Sequence, residues 1–232
     1  IAFIVNFLSG RTQVVTYAGN ESSPLPITRS IVQGSALGPV LYITYKSDLQ
    51  PISQQNFIRK FADDTTLGSP QLTDVQLSVE FQHLLDWASD NGLSVNMSKT
   101  KELIFCKPRF TTALLPPPLP GIDQTTSFKL LGINLSQRLS MDEHVNSILS
   151  VITQRFYLLN QLRKQGLPTP ALNSIFHALI LSRILYALPA FSGFLSASNI
   201  DRLDAALRKA QKWKITDLNL SMTTLIELAD DD

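Results

Sequence analysis

The sequence predicts an α+β chain: strands and helices interleaved up to about residue 110, a proline-rich connection, then a helical region from residue 138 to the end. Three observations predict it. Runs rich in β-branched and aromatic residues, bounded by turn residues, cluster in the first part. Four prolines, Pro116, Pro117, Pro118 and Pro120, exclude both helix interior and central strand from the stretch that follows. Beyond it, apolar residues recur at helical spacing in three separate stripes. At 232 residues, 44% hydrophobic and 17% charged, the chain can bury a core, in one large domain or two modest ones.

Taken in order, Ile1–Leu8 and Gln13–Tyr17 read as strands around a Ser9-Gly10 turn. Between Ser35 and Leu49, Leu37, Val40, Leu41, Thr44 and Tyr45 fall at helical spacing. Pro39 lies in that helix's first turn, where its missing N–H costs little. Asn56–Ala62 and Thr65–Leu67 flank Asp63-Asp64 as two short strands flank a tight turn. Leu77, Phe81, Leu84 and Ala88 mark an amphipathic helix that Asp90-Asn91-Gly92 ends, and Leu93–Val95 and Glu102–Cys106 return to strand character. Phe128–Leu135 reads as a hairpin bent at Gly132. The helical stripes are Val145, Ile148, Ile152, Phe156, Leu159 and Leu162, stopped by Gly166 and Pro168; then Leu172, Ile175, Phe176, Leu179 and Ile180; then Ile200, Leu203, Leu207 and Ala210, capped by Ser198 or Asn199. The expected regions are therefore 1–110, a connection over 111–137, and 138–232.

The net charge of +1 gives no overall basic signature. Locally the balance differs, since Lys129 to Lys214 holds eleven basic residues against four acidic ones. That excess suits a phosphate-tracking surface and equally suits ordinary solvated helix faces. The single cysteine, Cys106, excludes an intrachain disulfide and a cysteine-based zinc site, and suits a reducing intracellular compartment. The apolar runs read as too short and interrupted to span a bilayer, and Ile1–Leu8 lacks the flanks of a signal peptide. His83, His144 and His177 lack metal-ligand spacing, and Trp87 and Trp213 read as packing residues.

Phe61-Ala62-Asp63-Asp64 is the sharpest chemical feature. Two adjacent acids between apolar β-type flanks place carboxylate oxygens where a hard divalent cation such as Mg2+ binds while keeping positions open for phosphate. Nucleotidyl transfer uses two such ions, one lowering the pKa of the attacking 3′-hydroxyl and one holding the leaving pyrophosphate. A plain hairpin turn that uses Asp for its backbone tolerance explains the pair equally simply.

The neighbourhood decides between the two. Ile31-Val32-Gln33-Gly34-Ser35-Ala36-Leu37-Gly38-Pro39 stands upstream, and Asn96-Met97-Ser98-Lys99-Thr100 and Phe128-Lys129-Leu130-Leu131-Gly132 follow. In order and spacing these segments resemble the successive blocks of reverse transcriptases of the non-LTR (LINE-type) retrotransposon family. Leu41–Leu49, with Tyr42 and Tyr45, resembles the segment between them. The resemblance implies a polymerase palm, an antiparallel sheet with helices, followed by an all-helical thumb. It implies Asp63 and Asp64 as catalytic metal ligands, and Gln33, Gly34, Ser35, Phe61 and Ala62 against nucleotide and template. It also implies Lys99 near the leaving phosphate, with Lys101 as the alternative, and Leu130, Leu131 and Gly132 as a primer grip. The partners implied are an RNA template with a DNA primer or RNA–DNA hybrid, deoxynucleoside triphosphates and two Mg2+ in a complete enzyme, met in the nucleus or cytoplasm without a membrane; the oligomeric state stays open.

The chain also departs from the family pattern. Such enzymes carry a third catalytic Asp upstream of the Gln-Gly-Ser block, whereas residues 1–30 contain no Asp and only one acid, Glu21. Val32 replaces the Pro that commonly precedes the Gln. The expectation is an amino-terminally truncated copy, inactive in isolation because two carboxylates bridge two metal ions less well than three. The alternative function is a non-catalytic remnant that binds nucleic acid through its basic third region.

Overall fold

The computed structural model describes residues 2–27, 34–107 and 115–230. Its content, 47% helix and 15% strand, is α+β as the sequence predicts. Two compact units divide the chain, Ile1–Val95 and Asn96–Asp232.

The first unit opens with a helix, α1 (Ala2–Leu8), where the sequence suggested a strand. A strand needs a neighbour for its N–H and C=O groups, whereas a helix satisfies them internally. Phe3 and Phe7 stack one turn apart at 6.4 Å, and Arg11 lies over the Phe7 ring at 4.9 Å. Two small antiparallel pairs follow: β1 (Thr12–Gln13) with β4 (Leu25–Pro26), and β2 (Thr16–Tyr17) with β3 (Asn20–Glu21). Helix α2 (Gly38–Tyr45) carries Pro39 in its first turn, as expected. β5 (Phe57–Phe61) and β6 (Asp64–Gly68) form an antiparallel hairpin that pairs Phe61 with Asp64. Helix α3 (Leu77–Asp90) buries Glu80, Leu84 and Ala88 along one face. Leu49, Ile58 and Leu84 form this unit's small core, with Leu67, Trp87 and Val95 packed against it. Leu93–Val95 is not a strand: Val95 contributes to that core, and Leu93 N–H caps α3 at the Ala88 carbonyl, 2.7 Å away.

The second unit begins with β7 (Lys101–Leu103), which pairs in parallel with β8 (Asp123–Thr125), a strand hidden inside the expected connection. β9 (Ser127–Leu130) and β10 (Ile133–Ser136) make the expected hairpin. Its turn residues, Leu131 and Gly132, have φ of 45° and 89°, the left-handed pair of a two-residue hairpin turn. Helix α4 (Asp142–Lys164) buries Val145, Ile148, Ile152, Phe156 and Leu159 of the predicted stripe, packs the sixth, Leu162, partly buried against the same core, and adds His144. Around it pack α5 (Thr169–Phe176), a π-helical turn (His177–Leu181), α6 (Ser182–Leu185), α7 (Leu188–Phe191), α8 (Ala197–Lys212) and α9 (Met222–Asp230). The cap of α8 is Ser196, whose hydroxyl accepts from Asn199 N–H at 3.2 Å, rather than Ser198 or Asn199. Asn199 is already inside the helix, buried, and donates to Asp142 at 2.9 Å.

One apolar run is longer than the sequence reading allowed. Thr169–Phe194, 26 residues of mean hydropathy 1.5, is long and apolar enough to cross a membrane by length and composition. Its path is broken by the π-helical turn and by Ala187, whose φ is 54°. Leu172, Phe176, Ile180, Ile184, Leu188 and Phe191 of this run lie in the core of the second unit, whereas Leu185, Tyr186 and Phe194 are exposed, so core burial accounts for part of its apolar content.

Candidate active site

The acid pair sits at the tight turn of the β5–β6 hairpin. Ala62 and Asp63 form the turn, Ala62 at a left-handed φ of 48°, and Asp64 opens β6. Both acids, with Phe61 and Ala62, are exposed. Asp63 and Asp64 therefore present hard oxygen donors of the kind a divalent cation takes. Among the described residues no group of three or more His, Cys, Asp or Glu comes together, so these two carboxylates supply only part of a metal's coordination.

A lysine holds the turn in place. Lys46, at the C-terminal end of α2, is only 5% exposed. Its Nζ donates to the Ala62 carbonyl at 3.1 Å, the Asp63 carbonyl at 3.4 Å and the Thr65 hydroxyl at 3.0 Å. Three acceptors match the three N–H of an ammonium. Burial, then the charge of Lys60, holds the Lys46 pKa below its usual value, while Asp63 and Asp64 work the other way. Lys60 in turn donates to the carbonyls of Lys46 at 2.6 Å and Leu49 at 2.8 Å, closing the end of α2. Burial and the Asp63 charge raise the pKa of the Tyr42 hydroxyl, and Lys46 lies 5.3 Å over that ring. Sequence reasoning missed Lys46 and Lys60; the only available signal was a lysine ending a helix three residues before the Leu49–Asn56 connection, in which Leu49, Ser53 and Asn56 are buried.

That connection is fastened by a buried carboxylate. Glu80 on α3, 0% exposed, accepts from Ser53 N–H at 2.7 Å, Ile52 N–H at 2.9 Å and the Asn56 amide at 2.9 Å. Burial pushes the Glu80 pKa up, but these hydrogen bonds and the nearby His83 outweigh it, and the net result lies below the usual value. The loop that delivers β5, and with it the acid pair, is thus anchored to α3.

Gln33 lies outside the described residues. Gly34 has a φ of 81°, and the Ser35 hydroxyl accepts from Gly38 N–H at 2.9 Å at the start of α2. Ser35 and Lys46 thus stand at opposite ends of one helix, and only Lys46 touches the acid turn.

In the second unit, Asn96 organises the turn that carries Lys99. Its side-chain oxygen accepts from Ser98 at 2.8 Å and Lys99 N–H at 3.2 Å. Lys99 is exposed, whereas Lys101 forms an ion pair with Asp123 at 2.5 Å. Leu130 ends β9, and the Leu131 carbonyl accepts from the Tyr186 hydroxyl at 2.8 Å. Several basic side chains of the third region do structural work: Arg155 caps the Leu179 carbonyl, Arg163 donates to the Trp213 carbonyl at 2.7 Å, and Lys209 lies 4.5 Å over the Trp213 ring. The basic excess available to a ligand is smaller than the residue count suggests.

The family model described as reverse transcriptase (RNA-dependent DNA polymerase) matches residues 2–135, which contain the acid hairpin and the β9–β10 turn. The chain belongs to that family, in its LINE-type branch. It is 25% identical over 218 residues to the RNA-directed DNA polymerase from mobile element jockey of Drosophila melanogaster, covering 86% of this chain and 23% of the relative. It is 25% identical over 223 residues to the probable RNA-directed DNA polymerase from transposon X-element of the same fly, covering 89% and 24%. A third relative, from transposon BS, is 26% identical over 227 residues, covering 91% and 25%. The chain thus spans about a quarter of the length of these curated relatives. No solved structure matches it.

Proposed function

We propose that this chain is the palm and thumb portion of an RNA-directed DNA polymerase that extends a primer 3′ end by template-directed nucleotidyl transfer. The carrying observation is the presentation of Asp63 and Asp64 on an exposed hairpin turn clamped by the buried Lys46, within a family-matched segment. Residues 1–110 are the palm, 111–137 the connection with its primer-grip hairpin, and 138–232 the thumb. The substrates are deoxynucleoside triphosphates and an RNA template paired with a primer, in the cytoplasm or nucleus.

Asp63 and Asp64 hold divalent metal, Mg2+ in this reading, which when bound acidifies the primer hydroxyl and neutralises the leaving phosphate. The chain's own residues position and screen. Lys46 fixes the backbone that aims both carboxylates, and preorganised positioning of this sort is what phosphoryl transfer demands of a protein. Lys99, exposed on its turn, supplies positive charge or a proton toward the leaving phosphate. Gln33, Gly34 and Ser35 lie against the nucleotide and templating base.

The test is paramagnetic. Mn2+ titrated into the chain should broaden the NMR signals of residues near 61–66, and Asp63→Ala with Asp64→Ala should remove the effect. A chain extended upstream by an Asp-bearing strand should then incorporate deoxynucleotides on an RNA template, and normal incorporation by its Asp63→Ala form would sink the assignment. The exposed cations of the second unit support a second reading, a non-catalytic binder of nucleic acid, in which hybrid binding persists but Mn2+ does not localise to the turn.

A further inference from the structure

The two faces of the β5–β6 hairpin carry different chemistry. Cross-strand partners in an antiparallel pair share a face, and so do residues two apart along one strand. Ile58 with Leu67, and Lys60 with Thr65, therefore lie on one face, the face that joins the small core of the first unit. Phe57, Arg59, Phe61 and Asp64 lie on the other and are exposed. The face of a hairpin that packs on a core is ordinarily apolar, and Ile58 and Leu67 follow that rule. Nearer the acid turn two ammonium groups replace the apolar residues, Lys60 from the hairpin itself and Lys46 from the end of α2.

The two lysines cross. Lys46 reaches from α2 to the hairpin, where its Nζ donates to the Ala62 and Asp63 carbonyls and the Thr65 hydroxyl. Lys60 reaches from the hairpin back to α2, and its Nζ donates to the carbonyl of Lys46 itself at 2.6 Å, of Ser47 at 3.4 Å and of Leu49 at 2.8 Å. These carbonyls stand at and just beyond the C-terminal end of the helix, where unpaired oxygens and the negative end of the helix dipole receive a cation. Lys46 is thus held at one end and holds at the other: Lys60 fixes its carbonyl, and its own ammonium fixes the acid turn.

Folding alone does not call for this arrangement. The two charges oppose one another, and an apolar pair of similar volume would fill the same space without that repulsion. What an apolar pair lacks is direction. Charged hydrogen bonds to backbone carbonyls fix how the peptide planes of a turn are oriented, and with them the directions in which Asp63 and Asp64 leave the chain.

We propose that Lys60 is a positioning residue for the metal-binding acid turn and acts through Lys46, fixing the end of α2 so that the Lys46 ammonium meets the turn in one geometry. The proposal rests on the reading of Asp63 and Asp64 as metal ligands, and extends it to a side chain on the hairpin face opposite Asp64. It carries a sign that charge alone does not. Removing a positive charge near two carboxylates tightens their hold on a cation through space, whereas removing a positioning group loosens it.

The test is Mn2+ affinity of the whole chain, read from the EPR signal of the free ion, with NMR broadening to place the bound ion at the turn. Lys60→Met should bind Mn2+ roughly fivefold more weakly than wild type, within the range that loss of one link in a contact network transmits. Lys60→Arg, which keeps a cation at the α2 carbonyls, should recover most of the affinity. In a Lys46→Met background, Lys60→Met should change Mn2+ affinity no further, because a residue that acts through another is silent once that other is gone. Should Lys60→Met fail to fold, Lys60→Gln, which keeps a neutral donor, is measured against the same criteria. Affinity equal to or tighter than wild type, a loss that Lys60→Arg does not recover, or a loss that adds in full to that of Lys46→Met overturns this inference and leaves the metal site standing. Wild-type chain whose Mn2+ binding does not localise to the turn, or survives Asp63→Ala with Asp64→Ala, overturns both.

Discussion

Glu80→Ala should loosen the loop that carries the acid hairpin. The carboxylate accepts from two backbone N–H groups and one side-chain amide at 2.7–2.9 Å, and it has no contact with water. Removal leaves Ser53 N–H, in a residue 3% exposed, without an acceptor, while the Asn56 amide keeps the Val75 carbonyl at 3.0 Å and Ile52 is half exposed. One fully orphaned buried donor and two weakened ones, at about 1–3 kcal/mol for a full loss, sum to roughly 3 kcal/mol. Urea unfolding of the first unit, followed by Trp87 fluorescence in a Trp213→Phe background, measures it. Hydrogen exchange over residues 50–58 should show faster exchange at Ile52 and Ser53. The sign with pH is definite: the Glu80 pKa lies below its usual value, so its contribution is full above that value and is lost as pH falls through the folded one. The gap between wild type and Glu80→Ala should therefore narrow in acid. A loss below about 1 kcal/mol, or a gap that is constant from neutral to acid pH, refutes the reasoning.

Lys46→Met should remove the three donors that hold the acid turn and cost about 1–2 kcal/mol, with faster amide exchange at Asp63 to Thr65 and weaker Mn2+ broadening at Asp63; unchanged exchange there would show that the lysine does not hold the turn. Because the Lys46 pKa is depressed, the cost of charging it in the folded state is full at neutral pH and falls away as pH rises toward the usual lysine value, so stability should rise over that alkaline range in the wild type and not in Lys46→Met. Gly132→Ala places a Cβ at a φ of 89° and 3.0 Å from the Tyr186 ring, and should destabilise the second unit by roughly 1–3 kcal/mol in thermal unfolding; a neutral substitution would mean that the Leu131–Gly132 turn relaxes freely.

The legible parts of this protein are those written over a few residues. Alternation and turn chemistry placed Asp63 at a hairpin turn and Gly132 at another, because a strand's period and a turn's φ requirement are local. Helical spacing identified the buried faces of α4, α5 and α8, because a stripe at that period has one way to be buried. The same local rules misread Ala2–Leu8 and Leu93–Val95, where β-type composition found no neighbouring strand among the described residues. What pattern could not show is contact across distance. Lys46 meets its acceptors 16 to 19 residues away, Glu80 its donors 24 to 28 away, and Asn199 its partner Asp142 57 away. Sequence by itself thus determined the family, the α+β class and the acid pair on its turn. Tertiary structure alone decided which lysine holds that turn and which glutamate anchors the loop before it. Burial of a charged or polar group is tolerated only where folding brings its partners, and those partners come from elements whose meeting no local period encodes.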